Sequence, residues 1–158
     1  RYADTAVTYD LDVVIRACAD SPLTDPAGIV ELRHVFSQGG TRFVHNRHPD
    51  GWPAGTMADL MTRDALLEAA SQADQPHQRE HVIPFLREHG ERYNMCLVYS
   101  PPQLRRPDYH LAVDFPRDLS LLQSIYSNVG GPDSASLALE DILAWIDQNR
   151  IEHGNVNS

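Results

Sequence analysis

Short apolar runs alternate with longer stretches of helical spacing along most of this chain. Val13–Cys18 is a β-branched run of the kind found in buried strands, and it finishes close to Asp20. Pro26 suits a first helical turn with Asp25 as N-cap, and AGIVELRHVFSQ carries that helix to Gly39-Gly40. TRFVHN (41–46) predicts a short strand, HPDGWPAG (48–55) a loop, and TMADLM (56–61), with period-two alternation, another strand. Thr62 caps a helix over RDALLEAASQ, with Asp64 favourable in its first turn. A further helix is expected from about His77 to His89, broken or kinked at Pro84. YNMCLVY (93–99) and YHLAV (109–113) read as strands. Pro116 opens the helix RDLSLLQSIYSNV, which stops at Gly130-Gly131, and residues 135–147 carry apolar positions at helical spacing. Tyr2 to Tyr9 finishes a helix, and the polar tail EHGNVNS is expected to fray. Strands alternating with helices predict the α/β class, a mixed, mostly parallel sheet and a single domain over 1–158.

Composition narrows the setting. The 158 residues suffice for one real core, and 42% hydrophobic with 22% charged residues is ordinary globular composition. No apolar stretch approaches the ~20 residues that cross a bilayer, and no basic-then-apolar start suggests a signal peptide, so a cytoplasmic location is expected. The net charge is −9 with no basic stripe, which disfavours nucleic acid and anionic membrane as partners. All 13 cations are arginines, so no lysine nucleophile or phosphate-gripping lysine exists in these residues. Cys18 and Cys96 each lie in an apolar run and make neither a disulfide framework nor a zinc site.

Two predicted strands end near an aspartate, Asp20 and Asp114, each followed by a proline that stiffens the next element. Ligands of open α/β sheets bind beyond the carboxyl ends of strands, and two carboxylates meeting there suit Mg²⁺. Position alone leaves this reading level with a plain one, because aspartates also serve strand exits as turn formers and caps. HQREH (77–81) has the H-x-x-E-H pattern of zinc hydrolases, with His77, Glu80 and His81 as its members. Pro84 follows too closely and no third ligand stands out, so a helix-surface histidine cluster is the stronger reading. Trp52 is either a stacking residue or a buried plug, and the pair Arg105-Arg106 reads as solvated loop.

Four motifs in order then point one way. RACADSPLTDP resembles the R-x-T-x-D-x-P-L-x-D-P signature of cytidylyltransferases of the spore-coat polysaccharide and CMP-sugar (acylneuraminate, octulosonate) synthetase group. PAGTMADLMTRDALLEAA is similar to that group's P-x-G-x-D-x-E-V-F-x-x-x-A-L-E-x-A, and PHQREHVIPFLREH to its R-E-H-V-T-P-Y-I. YHLAVDFPRDLSLLQSIY resembles its L-R-x-T-V-D-T-P-E-D-L stretch. The resemblance implies a three-layer, Rossmann-like nucleotide-diphospho-sugar transferase fold. It maps the metal-binding and catalytic aspartates onto Asp20 and Asp114, with Mg²⁺ as cofactor. Substrate-binding roles fall on Arg16, Gly55, Asp59, Arg79, Glu80 and His81.

The implied activity joins CTP to a sugar or sugar acid for surface polysaccharide, with release of pyrophosphate; a homodimer suits such folds. Departures are present. Met57 stands where the group has an acid, although Asp59 keeps the next one, and Ala17-Cys18-Ala19 loses a hydroxyl. The group's N-terminal triphosphate loop has no counterpart in these residues, so the chain is expected to be the later part of the domain. The alternative to a working transferase is a non-catalytic remnant or partner-binding version of the fold.

Overall fold

The structure is a computed structural model and describes residues 1–47, 49, 51–130, 137–149 and 151. Gly131, the tail 152–158, loop positions 48 and 50, and residues 135 and 136 of the last helical stretch lie outside the described residues. The chain divides into two compact units. The first holds Arg1–Arg16, Ile29–Asn46 and Ala58–Val98, the second Ala17–Gly28, Arg47–Met57 and Tyr99–Ser158.

In the first unit, α1 (Tyr2–Thr8), β1 (Val13–Arg16), the greater part of α2 (Pro26–Ser37), β2 (Phe43–His45), β3 (Asp59–Thr62), α3 (Arg63–Gln72), α4 (Pro76–Glu80), α5 (Val82–Glu88) and β4 (Cys96–Leu97) follow in order. The strands form one mixed sheet, β1-β3-β2-β4. Pairings β1–β3 and β3–β2 are antiparallel and β2–β4 is parallel. Period-two alternation predicts a strand but not its direction, which is why the sheet is less parallel than expected.

Alternation also sorts the two faces. Met61 and Phe43 face a core with Ala65, Leu66 and Ala69 of α3 and Phe85 and Leu86 of α5. Leu60 and Val44, one residue out of step, face Leu32, Ile29 and Phe36 of α2. The unit is therefore helix, sheet, helix.

Local chemistry places the breaks. Thr62 Oγ1 accepts from the Ala65 N–H at 3.2 Å and starts α3 where the sequence puts it. Pro84 has no N–H for the Glu80 carbonyl, and its ring crowds that same group, so the helical stretch breaks at His81. The break thus falls one turn before the proline rather than at it.

The second unit is built on α6 (Pro116–Asn128) and α7 (Leu139–Asn149). Trp52, Leu104, Leu111, Leu122, Ile125, Ile142, Leu143 and Ile146 form its core. Trp52 is 3% exposed, a buried plug. The predicted strand 109–113 is an extended segment that makes only an isolated parallel bridge, between Ala54 and His110. Its hydrogen bonds explain this: the Ala54 N–H donates to Tyr109 (2.9 Å) and the Leu111 N–H donates to Ala54 (2.7 Å). One residue of the 51–55 loop cannot extend a ladder. Asp25 accepts from the Ala27 and Gly28 N–H groups at 3.1 and 2.9 Å and caps α2 as expected. Burial pushes its carboxyl above the ordinary range, against the pull of those two bonds.

Candidate functional site

Asp20 lies in a turn four residues beyond the end of β1, not on the strand itself. The Ser21 N–H donates to the Cys18 carbonyl (3.0 Å) and the Thr24 N–H to the Ser21 carbonyl (3.1 Å), so the segment is a compact double turn. Pro22 stiffens it, and the Tyr126 hydroxyl reaches the Pro22 carbonyl at 3.4 Å. The Val113 N–H donates to the Asp20 carbonyl at 2.7 Å. That bond lays the turn beside the 109–113 segment, so Asp20 and Asp114 occupy adjoining backbone positions.

Both carboxylates face solvent. Asp20 Oδ1 accepts from the Ser21 hydroxyl at 2.9 Å, and Asp114 Oδ2 lies 2.9 Å from His110 Nε2. The second oxygen of each carboxylate has no partner among the described residues. Two hard, half-engaged carboxylates fit a cation that takes one or two such ligands and keeps several waters, as Mg²⁺ does. No set of three His, Cys, Asp or Glu side chains forms a fuller metal cage among the described residues.

Gly55 and Asp118 fix this geometry. Gly55 has φ +90°, and a Cβ there would lie 2.4 Å from both Ala112 N and Leu111 C. The close approach that Gly55 permits here is to the chain's own 111–112 backbone. Asp118 is buried, and its Oδ2 accepts from the Asp114 and Phe115 N–H groups at 3.0 and 2.7 Å. The bend at Asp114 and the start of α6 are thus tied together.

The remaining candidates lie in the first unit. Arg16 Nη1 and Asp59 Oδ2 form an ion pair at 3.1 Å, with side-chain exposures of 16% and 1%. They are direct partners in the antiparallel register of β1 and β3, which accounts for the contact. Arg79, Glu80 and His81 are exposed at the end of α4. Arg79 lines a cavity of about 230 Å³ with Tyr2, Leu66, Ala69 and Gln78. His77 Nε2 is held by Glu88 Oε1 at 2.7 Å, and that bond, with a second from Gln78, keeps the Glu88 carboxyl below its ordinary range. His81 lies past the end of α4, so the H-x-x-E-H residues share no helical face for zinc.

No family model matches the chain. It is 25% identical over 158 residues to the uncharacterized protein MJ1063 of Methanocaldococcus jannaschii, covering all of this chain and 62% of that protein. It is 27% identical over 135 residues to the spore coat polysaccharide biosynthesis protein SpsF of Bacillus subtilis, covering 83% of this chain and 54% of SpsF. A cytidylyltransferase structure from Leptospira borgpetersenii superposes with a TM-score of 0.83 at 25% identity, over 94% of this chain and 61% of that one. In sequence and fold the chain is similar to these cytidylyltransferase-like proteins.

The chain spans about six-tenths or less of the length of each of these relatives. Its fold is the nucleotide-sugar transferase type expected from its motifs. Sequence reasoning missed His110 and Asp118. A histidine inside an apolar run carries no signal of its own, and only the bend at Asp114 folds His110 back onto the carboxylate. Asp118, two residues after the helix-opening Pro116, is the legible one of the pair, being an acid in the first turn of a predicted helix.

Proposed function

We propose that the protein is a nucleotidyltransferase that joins CTP to a sugar or sugar acid and releases pyrophosphate. A sugar oxygen forms a bond to the α-phosphorus of the nucleotide, and the bond from that phosphorus to the pyrophosphate oxygen breaks. In such a transfer the protein's task is positioning and charge stabilisation more than covalent chemistry. Asp20 and Asp114 would hold Mg²⁺, which when bound neutralises charge at the transferring phosphate. The observation that carries this reading is the Val113–Asp20 hydrogen bond, which sets the two half-engaged carboxylates on adjoining segments.

Arg79, Glu80 and His81 present exposed polar groups suited to a sugar. Asp59 is almost wholly buried beside Arg16, so its part toward substrate would be indirect, through that ion pair. Gly55 serves the site by letting the 111–112 backbone come close. The likeness to SpsF and to the Leptospira cytidylyltransferase supports the reaction class and the surface-polysaccharide setting.

The test is pyrophosphate release by the full protein with CTP, Mg²⁺ and a panel of sugars and sugar acids. Asp20→Asn and Asp114→Asn should each lower turnover by roughly 10²–10³, the range for loss of one electrostatic stabiliser. Undiminished release in both variants overturns the assignment. No release with any nucleotide favours the non-catalytic version of the fold.

A further inference from the structure

We infer that His110 is a positioning residue: it holds the Asp114 carboxylate in the orientation that binds the divalent cation. The inference rests on the assignment of Asp114 as a metal ligand. His110 is the bridge residue of the 109–113 segment, paired with Ala54, so its backbone is fixed on both sides. Its side chain is only 19% exposed. Nε2 stands 2.9 Å from Asp114 Oδ2, while Asp118 Oδ2 lies 4.0 Å away. Asp118 is itself committed to the Asp114 and Phe115 N–H groups and cannot swing toward Asp114.

The consequence is asymmetric. Oδ2 of Asp114 is engaged by the imidazole and Oδ1 has no partner among the described residues, so one oxygen is presented outward. An aspartate that is 49% exposed and unsupported would sample several rotamers, and ordering it on cation binding would cost entropy. Partners that orient ligating carboxylates are worth about 10–100-fold in metal affinity. His110 is the side chain in position to do this, and it does so without occupying the outward oxygen.

The experiment is Mn²⁺ binding to the full protein without nucleotide or sugar, followed by electron paramagnetic resonance of the free ion, with thermal unfolding as a fold control. His110→Ala should weaken Mn²⁺ at least tenfold with an unchanged unfolding midpoint. His110→Gln, whose Nε2 can still donate near the same place, should recover most of that loss. In turnover, His110→Ala should raise the Mn²⁺ concentration for half-maximal rate more than it lowers the saturated rate. If Asp114→Asn abolishes binding while His110→Ala leaves it within twofold, the positioning role is wrong and the metal assignment stands. If Asp114→Asn leaves binding unchanged, the metal assignment itself fails. Equal losses in His110→Ala and His110→Gln, with both folded, also overturn the positioning role.

Discussion

Replacing Gly55 by alanine tests whether backbone contact builds the carboxylate site. Alanine at an ordinary position would stabilise the protein by about 0.4–1 kcal/mol, because it narrows the unfolded ensemble. Gly55 is not such a position: its φ is +90°, and the added Cβ would meet Ala112 N and Leu111 C at 2.4 Å. The left-handed backbone alone costs an L-residue roughly 1–2 kcal/mol. Ordinary contact begins near 3.4 Å, so the 111–112 backbone must retreat by about 1 Å. Backbone shifts of this kind cost about 1–3 kcal/mol. The sum, about 2–5 kcal/mol, is a large share of the ~5–15 kcal/mol that holds a typical domain together. Urea unfolding followed by tryptophan fluorescence reads the loss directly. The retreat also pulls on the Leu111–Ala54 and Val113–Asp20 hydrogen bonds, so Mn²⁺ affinity should fall in the same variant. A stability change below about 1 kcal/mol, or a gain, refutes the contact argument.

Three further outcomes follow from the packing. Arg16→Ala leaves the buried Asp59 carboxylate without its charge partner and should cost about 3–5 kcal/mol, whereas Arg16→Met with Asp59→Leu together should recover most of it; a double-mutant cycle in urea measures both. Trp52→Ala empties a core position and should destabilise by about 3–5 kcal/mol by the same assay, whereas a sugar-stacking residue would lose substrate affinity with stability intact. Glu68, hydrogen-bonded to Arg42 at 2.6 Å and paired with Arg92 at 3.0 Å, has its carboxyl held below the ordinary 4.5. The folded state therefore binds that proton less readily than the unfolded chain, and the stabilisation is complete above pH 4.5 and fades as pH falls through the lower folded value. At this partly exposed site the effect is a few tenths to about 1 kcal/mol, and the acid-side stability profile of Glu68→Gln should be correspondingly flatter.

The sequence announces helices better than strands here. Thr62, Pro26 and Pro116 mark their helix starts because capping and a fixed φ act within one turn of chain. Strands depend on partners elsewhere. YNMCLVY shrinks to Cys96–Leu97 because β4 pairs only with the three-residue β2, and YHLAV has only Ala54 beside it. Val13–Cys18 loses its last two residues to the turn that carries Asp20, because the Ser21 N–H claims the Cys18 carbonyl.

The candidate site divides in the same way. Strand-end position nominated Asp20 and Asp114 only level with a plain turn role and the motif resemblance singled them out, while the buried Arg16–Asp59 pair needed the strand register and His110 needed the bend after Val113. No helix among the described residues is long and apolar enough to cross a membrane, in keeping with the hydropathy of the chain.

The backbone passes between its two units five times, at Arg16, Gly28, Asn46, Met57 and Val98. Neither unit is a contiguous piece of polypeptide, so no truncation isolates one from the other. A nick in any of these segments interrupts both, and the carboxylate turn at 17–28 belongs to the same unit as a stretch beginning at residue 99. Closing so long a loop delays assembly of that pair, since contacts distant in sequence form late. A nascent chain would therefore gain its Asp20–Asp114 neighbourhood only after the 109–114 segment had emerged, more than ninety residues behind Asp20.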